Sequence, residues 1–207
     1  MPVPDIRMTV FMATLALTGV ACETASADTK SVEAVEADSR GGIRPYDPAR
    51  KKTLDFSSVD VGDAPLADGA HSEHDLGEAM VGALVAEDRE SLEALALSQS
   101  EYTRLFPVLI RHPNALTMGP ELAWRNLHGE SRGDLDTALS RYGGRSMEFV
   151  ELVPQETLER PKVRILVRPT VRVRDADGQT TELVMLGSVV EHVPSSTWKI
   201  VAFRDTP

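Results

Sequence analysis

Apolar and polar positions divide the chain into an N-terminal third without sustained period, a helical middle and a strand-rich end. The end, Met147 to Asp205, is the most regular part. Val163, Ile165, Val167, Val171 and Val173 alternate with Arg164, Arg168, Arg172 and Arg174. This period of two sets β-branched residues on one face of a strand and guanidinium groups on the other. Asp175-Ala176-Asp177-Gly178 follows, and Asp-Gly supplies the positive backbone angles of a tight hairpin turn. Glu182 to His192 returns as a nearly unbroken apolar run, suited to a strand covered on both faces. A two-residue turn would set Val171 opposite Val184, Ile165 opposite Val190 and Arg164 opposite Glu191. Met147 to Val153 reads as the first strand, and Trp198 to Asp205 as the last, reached through a turn at Pro194-Ser195-Ser196. Pro169 predicts an edge or a bulge in the second strand, because proline donates nothing to a ladder.

Upstream the period lengthens to that of helices. Ser72 is a good N-cap, and Leu76, Met80, Ala83 and Leu84 then share one helical face. Asp88 caps a short second helix carrying Leu92, Leu95 and Ala96. A third runs from Ser100 to Arg111 with Tyr102, Leu105 and Phe106 as its apolar positions, and Pro107 is expected to kink or split it. Gly119-Pro120 opens a longer helix that ends at Tyr142, with Gly143-Gly144 as a left-handed cap. Its stripe is Trp124, Leu127, Leu135, Ala138, Leu139 and Tyr142.

Helices first, then a strand, then antiparallel strands ending in Gly187-Ser188-Val189-Val190-Glu191-His192 and Trp198-Lys199-Ile200-Val201: this order resembles the nuclear-transport-factor-2-like superfamily over residues 72 to 205. The resemblance implies an α+β, cystatin-like cone. In it the N-terminal helices pack in the concave face of a curved, mainly antiparallel four-stranded sheet, with a pocket at the open end. Relatives include isomerases, dehydratases, epoxide hydrolases and non-catalytic binders, and fold does not choose among them. The steroid-isomerase type sets a strand carboxylate against oxyanion donors. Here Glu151 would be the acid and Tyr142 or Tyr102 a donor.

The N-terminus carries an address. Thr9 to Ala21 is an apolar run after Arg7, shorter than the roughly 20 residues of a membrane-spanning helix. Residues 1–21 therefore read as an export signal. Cys22, the chain's only cysteine, closes this run and has no partner for an internal disulfide. Its place after Gly19-Val20-Ala21 resembles the lipid-attachment site of bacterial lipoproteins, which implies a membrane anchor through lipid on Cys22 in the cell envelope. Ala25-Ser26-Ala27 offers the alternative, an Ala-x-Ala site whose cleavage after Ala27 would release a soluble exported protein. Residues 22–71 hold little apolar content, with Gly41-Gly42, Pro45 and Pro48, and read as a disordered tether leading to a domain over residues 72–207.

Charge and chemistry narrow the function classes. A formal net charge of -10 argues against nucleic-acid partners, since phosphates would be repelled. The arginine row is a local exception, expected to be a solvated face paired with acids. His71 and His74 are three apart, but no HExxH pattern or cysteine cluster accompanies them, so no metal is expected. No Gly-rich phosphate loop or GxSxG pattern occurs, and no cofactor is expected. His128 borders the apolar stripe of the long helix, one turn after Trp124.

The first expectation is a non-catalytic envelope lipoprotein whose domain binds a small apolar ligand or a partner protein, with Trp124, His128, Tyr142, Glu151 and Tyr102 as candidate pocket residues. One alternative is an isomerase- or dehydratase-type enzyme in which Glu151, His128 and Tyr142 handle protons. Another is a soluble module that pairs into a homodimer through its outer sheet face.

Overall fold

The structure, a computed structural model, describes residues 55–110 and 117–205. The export signal, Cys22 and the tether up to residue 54 lie outside the described residues. Four helices come first: α1 (Glu73–Val85), α2 (Arg89–Ala94), α3 (Gln99–Leu109) and α4 (Pro120–Tyr142). Seven strands follow: β1 (Met147–Val153), β2 (Glu156–Arg160), β3 (Val163–Val167), β4 (Thr170–Asp175), β5 (Thr180–Leu183), β6 (Leu186–His192) and β7 (Thr197–Phe203). The chain is thus α+β, as its pattern predicts. Its strands form two antiparallel sheets, one of four strands in the order β2-β3-β6-β7 and one of three in the order β1-β4-β5.

Local chemistry explains the helix ends. The Ser72 hydroxyl accepts the Asp75 N–H at 3.0 Å, and the Asp88 carboxylate accepts that of Ser91. Ser98 and Glu101 form a reciprocal capping box, so α3 starts one residue earlier than expected. Pro107 does not split α3. It falls in the last turn, where its missing N–H forfeits one hydrogen bond just before the helix ends at Leu109. At the end of α4 the left-handed residue is Gly144, with φ 69°.

The long alternating strand is broken at Arg168-Pro169, and its apolar partner is interrupted between Leu183 and Leu186. Both breaks fall at one bend, which sends the base of the hairpin into the four-stranded sheet and its tip into the other. At the base, Ile165 faces Val190 and Arg164 faces Glu191, as a two-residue turn predicts. Near the tip, Val171 faces Leu183 instead of Val184. The loop is the cause. The Asp175 N–H donates to the Gln179 carbonyl at 3.0 Å, enclosing three residues with Gly178 at φ 78°. The longer loop shifts the register by one residue and the bend shifts it back.

Strands β3, β6 and β7 are apolar on both faces, and each face has its own core. Leu166, Val189, Trp198 and Ile200 join a cluster with Leu76, Met80 and Leu84 of α1, Leu135 and Ala138 of α4, and Val171 and Val173 of β4. Val163, Ile165, Val190 and Val201 join a second cluster with Tyr102, Leu105, Phe106 and Val108 of α3. Helices pack against both faces of the four-stranded sheet, because a sheet apolar on both sides needs cover on both. The packed body also begins before residue 72. Val61 and Leu66 are buried in the second cluster, and Ala70 bridges Trp198. That stretch, read as tether, is held by the Leu66 N–H on Thr197 Oγ1 at 3.1 Å and the Ala67 N–H on Glu101 Oε1 at 2.6 Å.

Candidate functional site

The five residues singled out as a pocket fall into three places. Tyr102, Trp124 and His128 form an aromatic row where α3 meets α4. The Tyr102 and Trp124 ring centroids are 5.3 Å apart, and His128 stacks on Trp124 at 4.9 Å with an interplanar angle of 22°. Tyr102 is buried and Trp124 half-buried, while His128 is exposed. Burial raises the Tyr102 phenol above its ordinary range. Tyr142 packs against the first cluster instead, with the Arg141 guanidinium 5.8 Å from its ring centre. Glu151 is exposed on the three-stranded sheet, where it accepts from Arg172 at 2.7 Å. The space between α1, α4 and the two sheets is filled by Leu76, Met80, Leu135, Met185 and Phe203.

The arginine row pairs with acids at Arg164 and Arg172 and departs at Arg168 and at Arg174, which is exposed near the hairpin tip and meets no carboxylate among the described residues. Arg172 bonds both Glu151 and Glu182, at 2.7 and 3.0 Å. Arg164 bonds Glu159 at 3.0 Å and lies 2.9 Å from Glu191, close in distance though outside hydrogen-bond alignment. Arg168, between them at the bend, is exposed and meets no carboxylate among the described residues. Its backbone is left-handed, φ 46°, an uncommon conformation for any residue but glycine, asparagine or aspartate.

Arg168 lines a cleft of about 200 Å³ on the α3 side of the four-stranded sheet. Leu109, Leu158, Ile165, Val167 and Val201 make its apolar floor, and Ser188 and Arg204 share the polar side with Arg168. The bend creates the opening. The Arg168 N–H reaches across to the Gly187 carbonyl at 2.9 Å, so the pairing of the two strands survives while the main chain turns away. A larger groove of about 410 Å³ between α1 and α2 is poorer in chemistry. It is walled by alanines, and its polar residues Asp88 and Ser91 already bond each other at 2.6 Å.

Two buried polar assemblies lie on the same side of the sheet. Lys199 and Glu101 pair at 3.3 Å, with only 6% and 8% of their side chains exposed. Burial works against ionisation of Glu101, but the Ser98 N–H and hydroxyl, the Lys199 ammonium and the Ala67 N–H outweigh it and hold the carboxyl below the usual range. His192, fully buried, sits 2.7 Å from Ser195 Oγ and 3.1 Å from the Gly62 carbonyl. Serine beside histidine is the geometry of an activated nucleophile. Here, however, the ring is oriented by a backbone carbonyl, and Ser195 Oγ is also 2.7 Å from Thr197 Oγ1, which holds the Leu66 N–H. The row ties Gly62 to the end of β6 and Leu66 to the start of β7.

Among the described residues, no group of three or more His, Cys, Asp or Glu is placed to hold a metal, and no helix is long and apolar enough to cross a membrane. No family model, curated protein or solved structure matches the chain.

Proposed function

We propose that the protein is a non-catalytic envelope lipoprotein, anchored through Cys22, whose nuclear-transport-factor-2-like domain binds a small ligand in the cleft at the strand bend. The observation that carries this reading is Arg168: a cation that meets no carboxylate among the described residues, held in a left-handed conformation beside an apolar floor. Conformations of this kind persist where the surroundings impose them, and they gather at ligand sites. The filled interior adds support. With Leu76, Met80 and Met185 occupying the space a substrate would need, binding moves to the outside of the sheet. An isomerase-type mechanism would require Glu151, His128 and Tyr142 around one substrate. Glu151 is instead engaged with Arg172, and Tyr142 lies in a different cluster from Trp124 and His128.

Mass spectrometry of the mature N-terminus from membrane and soluble fractions tests the anchoring. A diacyl or triacyl adduct on Cys22 in the membrane fraction is the expected result. A soluble species beginning at Asp28 would overturn the lipoprotein reading and leave an exported, diffusible binder.

A further inference from the structure

We propose that the cleft at the strand bend takes a carboxylate carried on a short apolar body, with Arg168 as its anion-binding residue. The inference rests on the reading of that cleft as a ligand site and names the class of ligand.

Charge comes first. The chain carries 32 acidic and 22 basic side chains of Asp, Glu, Lys and Arg, so carboxylates are abundant. Arg164 and Arg172, four residues to either side, each hold two of them. Arg168 holds none among the described residues. A guanidinium offers a planar fork matched to a carboxylate, and beside low-dielectric walls that pairing is stronger than in open water. The backbone cannot substitute for it, because the Arg168 N–H is already given to Gly187. Ser188 on the same rim adds a neutral donor.

Shape and surface set the rest of the molecule. A volume of about 200 Å³ is roughly six or seven water-sized volumes, which limits the body to about that many heavy atoms. The floor of Leu158, Ile165, Val167 and Val201 gives that body nothing but apolar contact. A branched aliphatic acid or a terminal leucine has this chemistry; a sugar or an inorganic polyanion does not.

Conformation supplies an independent argument. At φ 46° glycine would fit with less strain than arginine. The sequence accepts the strain and keeps a side chain there, which fits a position whose side chain has work to do.

The test is calorimetric titration of the full chain with sodium 4-methylpentanoate, with the neutral isostere 4-methylpentan-1-ol, and with acetyl-Gly-Gly-Leu as the free acid and the amide. The variants are Arg168→Gln and Arg168→Gly, each also followed by thermal melting. Because glycine relieves the left-handed strain, that variant should melt no lower than the parent. We expect a carboxylate probe to bind, its alcohol or amide counterpart to bind at least tenfold more weakly, and both variants to lose at least tenfold in affinity. Raising salt should weaken the acid and not the alcohol. If the tripeptide acid binds more tightly than 4-methylpentanoate, the natural carboxylate belongs to a chain terminus; the reverse order assigns it to a free acid. Equal binding of acids and neutral counterparts, unchanged in Arg168→Gln, would overturn the carboxylate class while keeping the cleft as a ligand site. No binding by any probe would overturn the ligand site as well.

Discussion

On one face of the four-stranded sheet, Leu166, Val189, Trp198 and Ile200 meet α1 and the C-terminal half of α4 through apolar contact, with the Arg164–Glu191 pair at the margin. On the other face, Val163, Ile165, Val190 and Val201 meet α3 beside a buried ion pair and a histidine–serine–threonine row. Strand β7 supplies both faces in alternation. Trp198 and Ile200 point one way, while Thr197, Lys199 and Val201 point the other. The difference follows from what each face has to order. Helices α1 and α4 bring apolar stripes, whereas the described stretch before Ser72, residues 55–71, brings only Val61 and Leu66 as buried apolar residues and is positioned by directional bonds to Thr197 and Glu101. One face is held by volume and the other by geometry.

The largest effect should come from breaking the geometry. Lys199→Met leaves Glu101 buried without its cation and should cost about 3–5 kcal/mol in a denaturant titration. Adding Glu101→Gln should restore part of that loss; a loss below about 1 kcal/mol in the single variant would mean that the Ser98 and Ala67 donors suffice alone. On the apolar face, Met80→Ala removes a fully buried side chain and should cost about 2–4 kcal/mol. That loss should be the same at pH 7 and pH 4, since no titrating group is involved.

Acid should separate the two faces. The Glu101 carboxyl is held below its usual range, so its contribution is complete above the ordinary glutamate pKa and is lost as pH falls through the depressed folded value. Amide exchange should then rise in α3 and residues 61–67 before it rises in α1; simultaneous loss would erase the distinction between the faces. The smallest effect is expected outside both cores. Arg172→Gln, despite breaking contacts of 2.7 and 3.0 Å, should leave the denaturation midpoint nearly unchanged, because the groups are exposed to water. The shorter bond is the weaker contributor here.

Much of this fold is legible in the residue pattern. Ser72 and Asp88 announce their helices, Gly119-Pro120 and Gly143-Gly144 bracket the longest one, and Pro169 marks the bend. Strand β2 is not legible: Glu156-Thr157-Leu158-Glu159-Arg160 has one large apolar side chain, and only pairing with β3 makes it a strand. The base-of-hairpin register is predicted correctly through two departures that cancel, since a turn is local and a bend is tertiary. The candidate site was harder to see. Periodicity treats Arg164, Arg168 and Arg172 as equivalent; separating them needs the positions of Glu159, Glu191, Glu151 and Glu182 in space. Lys199, between Trp198 and Ile200, reads as a solvent-facing position. It is buried because α3 carries Glu101 to the same place.

The outer edge of β7 has a consequence of its own. Its main-chain groups are taken up by Ala70, by Leu95 and Leu97, and by the Ser131 hydroxyl, which accepts the Phe203 N–H at 2.9 Å. A strand so occupied gives a neighbouring molecule no template for recruitment into a growing ribbon. Propagation from this sheet is left to the opposite border, the five-residue β2, where Glu156, Glu159 and Arg160 make a flat apolar stack costly. Crowded at high density, such molecules should remain separate instead of seeding fibres.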